Sequence, residues 1–146
     1  IMSAKKKSLI RQQIRDRILT IGYTESYTHW ESIGRSGQNV ADKKFAIGFS
    51  STTDNGGRQR PLEGIDCSSD CTVIVLIKVN PHNQVETYDA ALDGEEAIIK
   101  VITNRSTPLY NDISIRYVNS SQTLTEKNEF IIITINFTIR HHIDLS

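Results

Sequence analysis

The sequence is poor in the residues that commonly announce a function. It holds two cysteines, Cys67 and Cys71, in 146 residues, too few for a disulfide framework. Framing a single C-x-x-x-C, they also lack the second ligand pair that a structural zinc needs, so they are expected to be ordinary thiols at the start of a strand. Seventeen Lys plus Arg balance seventeen Asp plus Glu, so no global field draws the chain to nucleic acid, a membrane or an acidic substrate. No apolar run approaches the ~20 residues of a membrane span. The lysine-rich start, IMSAKKKSLIRQQIRDRIL, is too charged after Lys7 to hold a signal-peptide core, and the chain reads as soluble and made in the cytosol. On that reading the glycosylation-like tripeptides at Asn104, Asn119 and Asn136 are chance matches. Nucleophile elbow, Walker-type loop, zinc-protease helix and dinucleotide fingerprint are all missing, and no cofactor or metal is expected.

What is present is hydrophobic patterning over one domain, residues 1–146. Ile10, Ile14, Ile18 and Ile21 form the stripe of an amphipathic helix that Ser8 would cap and Gly22 would end. Aromatic and β-branched residues in YTESYTHWESI predict a strand at 26–33. Phe45, Ile47 and Phe49 alternate with small residues in a second strand, and CTVIVLIKVN is a third, apolar on both faces at 73–77. Between them lies the polar stretch SSTTDNGGRQRPLEGIDCSSDC, residues 50–71, far longer than the ~4–6 residues of an ordinary connection. A second helix follows the turn NPHN, with Tyr88, Ala91, Leu92, Ile98, Ile99 and Ile102 on one stripe. It starts near residue 88, or at 94 if Asp93 and Glu96 form its capping box. DISIRYVN and EFIIITINFTIRHH then read as an antiparallel pair joined by the loop SSQTLTEKN. The predicted class is α+β: a mostly antiparallel sheet with two helices packed on one face. The order is helix, the 26–33 strand, strand, strand, helix, strand, strand, with a long loop between the central strands.

Three clusters invite a chemical reading. His141, His142 and Asp144 suggest a metal site, but adjacent strand residues face opposite ways, and the tail is expected to be solvated. Asp89, Asp93, Glu95 and Glu96 suggest a metal-dependent nucleic-acid enzyme, with the basic first helix holding phosphates. The helix dipole explains these carboxylates more simply. Lys5, Lys6, Lys7, Arg11, Arg15 and Arg17 lack interleaved aromatics and read as a solvated helix face. No catalytic constellation emerges.

The layout as a whole resembles a family. The helix SLIRQQIRDRILTIG, the loop with RQRPLEG, the strand CTVIVLIKV, the helix YDAALDGEEAIIKVIT and the closing strands DISIRYV and EFIIITINFTI resemble the tail terminator proteins of long-tailed bacteriophages, from about Ser8 to Ile139. The resemblance implies a non-enzymatic virion protein in the tail neck, assembled in the host cytoplasm. It implies a homo-oligomeric, hexameric ring capping the head-proximal end of the tail tube, halting polymerisation and docking the head's connector. The implied partners are the tube protein and a head-completion or connector protein, and DNA passes through the lumen without sequence-specific binding. A connector or tail completion protein is the alternative within the same virion.

Two features bear on assembly. The face of the sheet away from the helices needs a cover, supplied either by a neighbouring subunit or by residues 23–42 of the same chain. The long loop carries Asp54, Arg58, Gln59 and Arg60, candidate intersubunit or tube contacts; the alternative is a mobile hairpin turned by DNGG.

Overall fold

A computed structural model describes residues 6–31, 42–56, 64–104, 113–125 and 129–144. Helix α1 spans Lys7–Leu19 and buries Ile10, Ile14 and Ile18 completely. Three residues of the predicted stripe are in place, but the helix ends before the fourth, Ile21, which packs partly buried against the core from the turn that follows. Its start differs too, since Lys6 stands at the N-cap and Ser8 lies inside the first turn, so Ser8 caps nothing. The predicted strand at 26–33 is replaced by a two-residue strand, β1, at Thr24–Glu25, and no strand occurs at residues 26–31. The aromatic pattern misled there because Trp30 is used as a cover, not as a strand residue.

Strand β2 runs Lys44–Asp54 and β3 runs Ile65–Lys78, both longer than their apolar patterns. Much of the predicted loop is therefore hairpin: residues 51–54 pair with 70–67. Its polar residues bond across the strands in place of apolar packing. Ser51 Oγ donates to Asp70 Oδ2 at 2.7 Å, Thr52 and Ser69 hydroxyls meet at 2.8 Å, and Asn55 Nδ2 donates to Asp66 Oδ1 at 3.0 Å.

Helix α2 spans Gln84–Ile102, starting before either predicted position. Asn83 forms the cap: its side chain accepts from Glu86 N and donates to Glu86 Oε2, both at 3.0 Å. Gly94 is interior to the helix because Tyr23 lies against it, and a Cβ there would overlap the phenol oxygen. The buried stripe is Thr87, Ala91, Gly94, Ile98 and Ile102, which leaves the predicted Tyr88 and Leu92 exposed.

Strands β4 (Ser114–Leu124) and β5 (Phe130–Ile143) form the predicted antiparallel pair, but β4 takes in SSQTL from the predicted loop. The sheet order is β1-β2-β3-β5-β4, antiparallel apart from the β1–β2 pair. Both helices lie on one face, over Phe45, Val73, Val75, Ile133, Ile135, Phe137 and Ile139. The predicted α+β class, with a mostly antiparallel sheet and two helices on one face, is the observed one.

The opposite face is closed at one end from within the chain. Trp30 packs there with Ile74, Phe130 and Ile132 around buried Ala46 and Leu76. Towards the hairpin this face turns polar, with Thr72 Oγ1 donating to Asn136 Oδ1 at 2.9 Å. The two-sided apolar run at 73–77 thus needs no second subunit to cover Leu76, which is 0% exposed in the single chain.

Candidate functional site

The features that could meet a partner cluster at the hairpin end of the sheet and along its two edges. Asp54 closes β2 in an exposed position, and its Oδ1 accepts from Gly56 N at 3.1 Å, fixing the start of the turn. Arg58, Gln59 and Arg60 lie outside the described residues. The root of the hairpin is braced by β5: Arg140 donates from Nη2 to Asp66 Oδ2 at 2.6 Å and from Nε to Asp66 Oδ1 at 3.1 Å. That two-pronged contact holds the Asp66 carboxyl below the usual carboxylate range.

His141 and His142 are strand residues, not a solvated tail: β5 continues to Ile143 because β3 pairs with it back to Ile65. His141 is 1% exposed and faces the helices, while half-buried His142 points the other way, as strand alternation requires. The His141 Nε2 and Ser69 Oγ are 2.6 Å apart, Ser69 meets Thr52, and Lys7 Nζ donates to Thr52 Oγ1 at 3.1 Å. Cys67 Sγ lies 3.6 Å from the ring nitrogens. A serine beside an imidazole is the start of a nucleophilic pair, but Ser69 is 0% exposed. The chain of hydrogen bonds ties α1 to β2, β3 and β5 and makes the hairpin root stiff. Burial lowers the His141 pKa, and it raises that of Cys67. It pushes Cys71 up to about 12, so both thiols stay protonated and unreactive. Four positions apart on one strand, about 13 Å, they cannot bond to each other.

The charged clusters are dispersed or already used. Asp89, Asp93 and Glu96 are exposed along α2 and Glu95 is half-buried; among the described residues no three metal-binding side chains come together. Arg11 pairs with Glu25 at 2.9 Å and Arg15 with Asp16 at 3.0 Å. Arg17 reaches the C-terminus of α2, where Nη1 donates to the Ile102 carbonyl at 2.7 Å. Lys5 lies outside the described residues.

Two features escaped the sequence reading. A groove of about 430 Å³ opens between the start of α2 and the end of β4, lined by Val79, Val85, Tyr88, Leu124 and Ile131. The Gln122 carboxamide is buried beside it without a hydrogen-bond partner. The second feature is a pair of open sheet edges. Among the described residues, β4 has a strand neighbour on one side only, and β1 pairs with β2 only at Lys44 and Phe45. Residues 50–54 of β2 are all exposed, as is most of β4, including Arg116, Tyr117 and Val118. The signal for β4 was the alternation in DISIRYV carried on by the Ser/Thr residues after it.

No protein-family model matches the chain, and no curated protein does. Among solved structures, the fold matches a chain in the virion of a native gene transfer agent particle, with a TM-score of 0.60 and 14% identity over 91% of each chain. At that identity the likeness is one of fold.

Proposed function

We propose that this chain is a structural virion protein of the tail terminator type. It assembles as a homo-oligomeric ring, six-membered by the family resemblance, on the head-proximal end of a tail tube. There it stops tube growth and offers a docking surface to the head's connector, with DNA passing through its lumen. The work is binding, with no bond made or broken. The observation that carries the reading is the fold shared with a virion chain over 91% of both chains. The braced hairpin adds to it: a rigid polar projection ending at Asp54 suits contact with a neighbouring subunit or the tube. Arg58, Gln59 and Arg60 belong to that proposed contact.

Electron microscopy of particles lacking the protein tests the role. Tails of uncontrolled length are expected. Normal-length free tails beside filled heads would instead assign it to a connector or completion step. Native mass spectrometry of a variant lacking residues 53–60 tests the hairpin, and an undiminished ring population would remove it from the assembly account.

A further inference from the structure

We infer that copies of this chain join head to tail by a knob and a hole: Tyr27 of one copy enters the groove between α2 and β4 of the next, where its phenol meets the Gln122 carboxamide. The inference rests on the ring reading and specifies one contact of it.

The hole is incomplete in the single chain. Both polar atoms of the Gln122 carboxamide are buried and have no hydrogen-bond partner among the described residues, so a desolvated donor and acceptor receive nothing in return. The groove beside them, about 430 Å³, is walled by exposed Val85 and Tyr88 of α2, exposed Leu124 of β4 and buried Ile131. A cavity of ~150 Å³ already holds a benzene-sized ring, so an aromatic side chain fits with room for its flanks. None of the lining residues is charged, and the complementary occupant is an apolar body with one neutral group that both donates and accepts. A phenol hydroxyl does both. The last torsion of a glutamine is soft, which lets the amide turn to meet it.

Tyr27 has the profile of the knob. It is 105% exposed, the most exposed large apolar side chain among the described residues. Its segment is nevertheless held: Ser26 N donates to the Phe45 carbonyl at 2.8 Å, Thr28 N donates to Ser26 Oγ at 3.1 Å, and Trp30 packs on the second face of the sheet. A held aromatic that packs on nothing in its own chain loses little freedom on docking, as interface anchors do. Ser26, Tyr27 and Thr28 are uncharged, so neither side buries an unpaired ion. Burying Tyr27 removes ~150–250 Å² from water, against the ~800 Å² per partner of a stable interface, so it anchors a broader contact between two edges.

Placement selects a second copy as the source of the knob. Among the described residues β1 and β4 are the outermost strands, which puts knob and hole four strand spacings apart, about 19 Å, at opposite edges of one sheet. They are also nearly level. Glu25 pairs with Phe45, Phe45 with Val75, Val75 with Ile133 and Ile133 with Gln122, one row across the whole sheet. Tyr27 is two residues past that row, at most ~7 Å along the strand, an offset that a tyrosine side chain spans. A head-to-tail contact closes into a ring only when it adds no rise along the ring axis, and otherwise winds into a filament. Knob and hole on one row meet that condition for an axis along the central strand β3.

A photo-crosslinking phenylalanine analogue at position 27 of the full chain, irradiated after assembly on tail tubes, tests the contact. Crosslinks to residues 84–88 or 122–124 of an isotope-labelled second copy are expected. Tyr27→Ala removes a side chain that is fully exposed in the monomer, so the fold is kept, and it should weaken assembly roughly tenfold or more. Tyr27→Phe keeps the ring and loses the hydroxyl; it should weaken assembly about three- to tenfold, and that loss should vanish in a Gln122→Leu background. An equal loss for Tyr27→Phe in both backgrounds would overturn the pairing of phenol with carboxamide. Rings undiminished in Tyr27→Ala, or crosslinks from position 27 to the tube protein alone, would overturn the contact and leave the ring standing. A wild-type chain that stays monomeric with and without tubes would overturn both.

Discussion

Gly48 offers the sharpest test of how the second face of the sheet is closed. The Trp30 indole lies over its Cα so closely that a Cβ would overlap the ring. Gly48 is not among the glycines at positive φ, so alanine meets no backbone strain there and the whole penalty comes from moving Trp30. Trp30 is half-buried with Ile74, Phe130 and Ile132 around Leu76. Lifting it would return on the order of 100 Å² of apolar surface to water, about 2.5 kcal/mol. Alanine recovers roughly 0.5–1 kcal/mol of that through its lower entropy cost within a strand, leaving a net loss of about 1.5–2 kcal/mol. In a Trp30→Ala background no ring stands in the way, and Gly48→Ala should be neutral or slightly stabilising. Urea unfolding followed by far-UV circular dichroism measures all four corners of the cycle. Trp30 is the chain's one tryptophan, so its emission should shift to the red in Gly48→Ala alone. An equal cost in both backgrounds, or a neutral change with unaltered emission, would refute the placement of Trp30.

Three further outcomes are expected. Arg17→Met should lower stability by about 1–2 kcal/mol in thermal unfolding, because it removes a charged donor from the carbonyl end of α2. Burial holds the His141 pKa below its ordinary value, Lys7 and His142 push the same way and Asp66 opposes them. The unfolded chain therefore takes up the proton first. Stability should be complete above about pH 6.5 and fall below it, by at most about 1.4 kcal/mol per pH unit, and His141→Gln should flatten that slope. Cys67 and Cys71, 1% and 0% exposed, should resist alkylation at neutral pH in the folded chain and react in denaturant; labelling of either in the native state would contradict their burial.

The helix-facing core was legible because its signal is apolar and periodic. Ile10, Ile14 and Ile18, and the alternate isoleucines of β5, name their own partners. Misreadings cluster where polar side chains take over the structural work. Ser51, Thr52, Ser68 and Ser69 look like loop residues by composition, yet they hold strands through cross-strand hydrogen bonds and pairing with β5. Asn83, the last residue of the turn-like NPHN, caps α2 together with Glu86 of its first turn, and the Asp93–Glu96 spacing resembled a capping box although Gly94 beside it lies inside the helix, where it admits Tyr23. Residues Trp30 and His141 are set by partners distant in sequence, Gly48 for one and Ser69 for the other, which periodicity does not encode. The candidate contacts were legible only as an unusual excursion ending near Asp54; the open edges became visible once strand order was fixed.

The central claim is ring assembly on a tail tube. Cryo-electron microscopy of the purified protein, alone and mixed with isolated tail tubes, addresses it directly. The account predicts closed rings with a central opening, seated on one end of each tube. Monomeric protein that leaves both tube ends bare would contradict it.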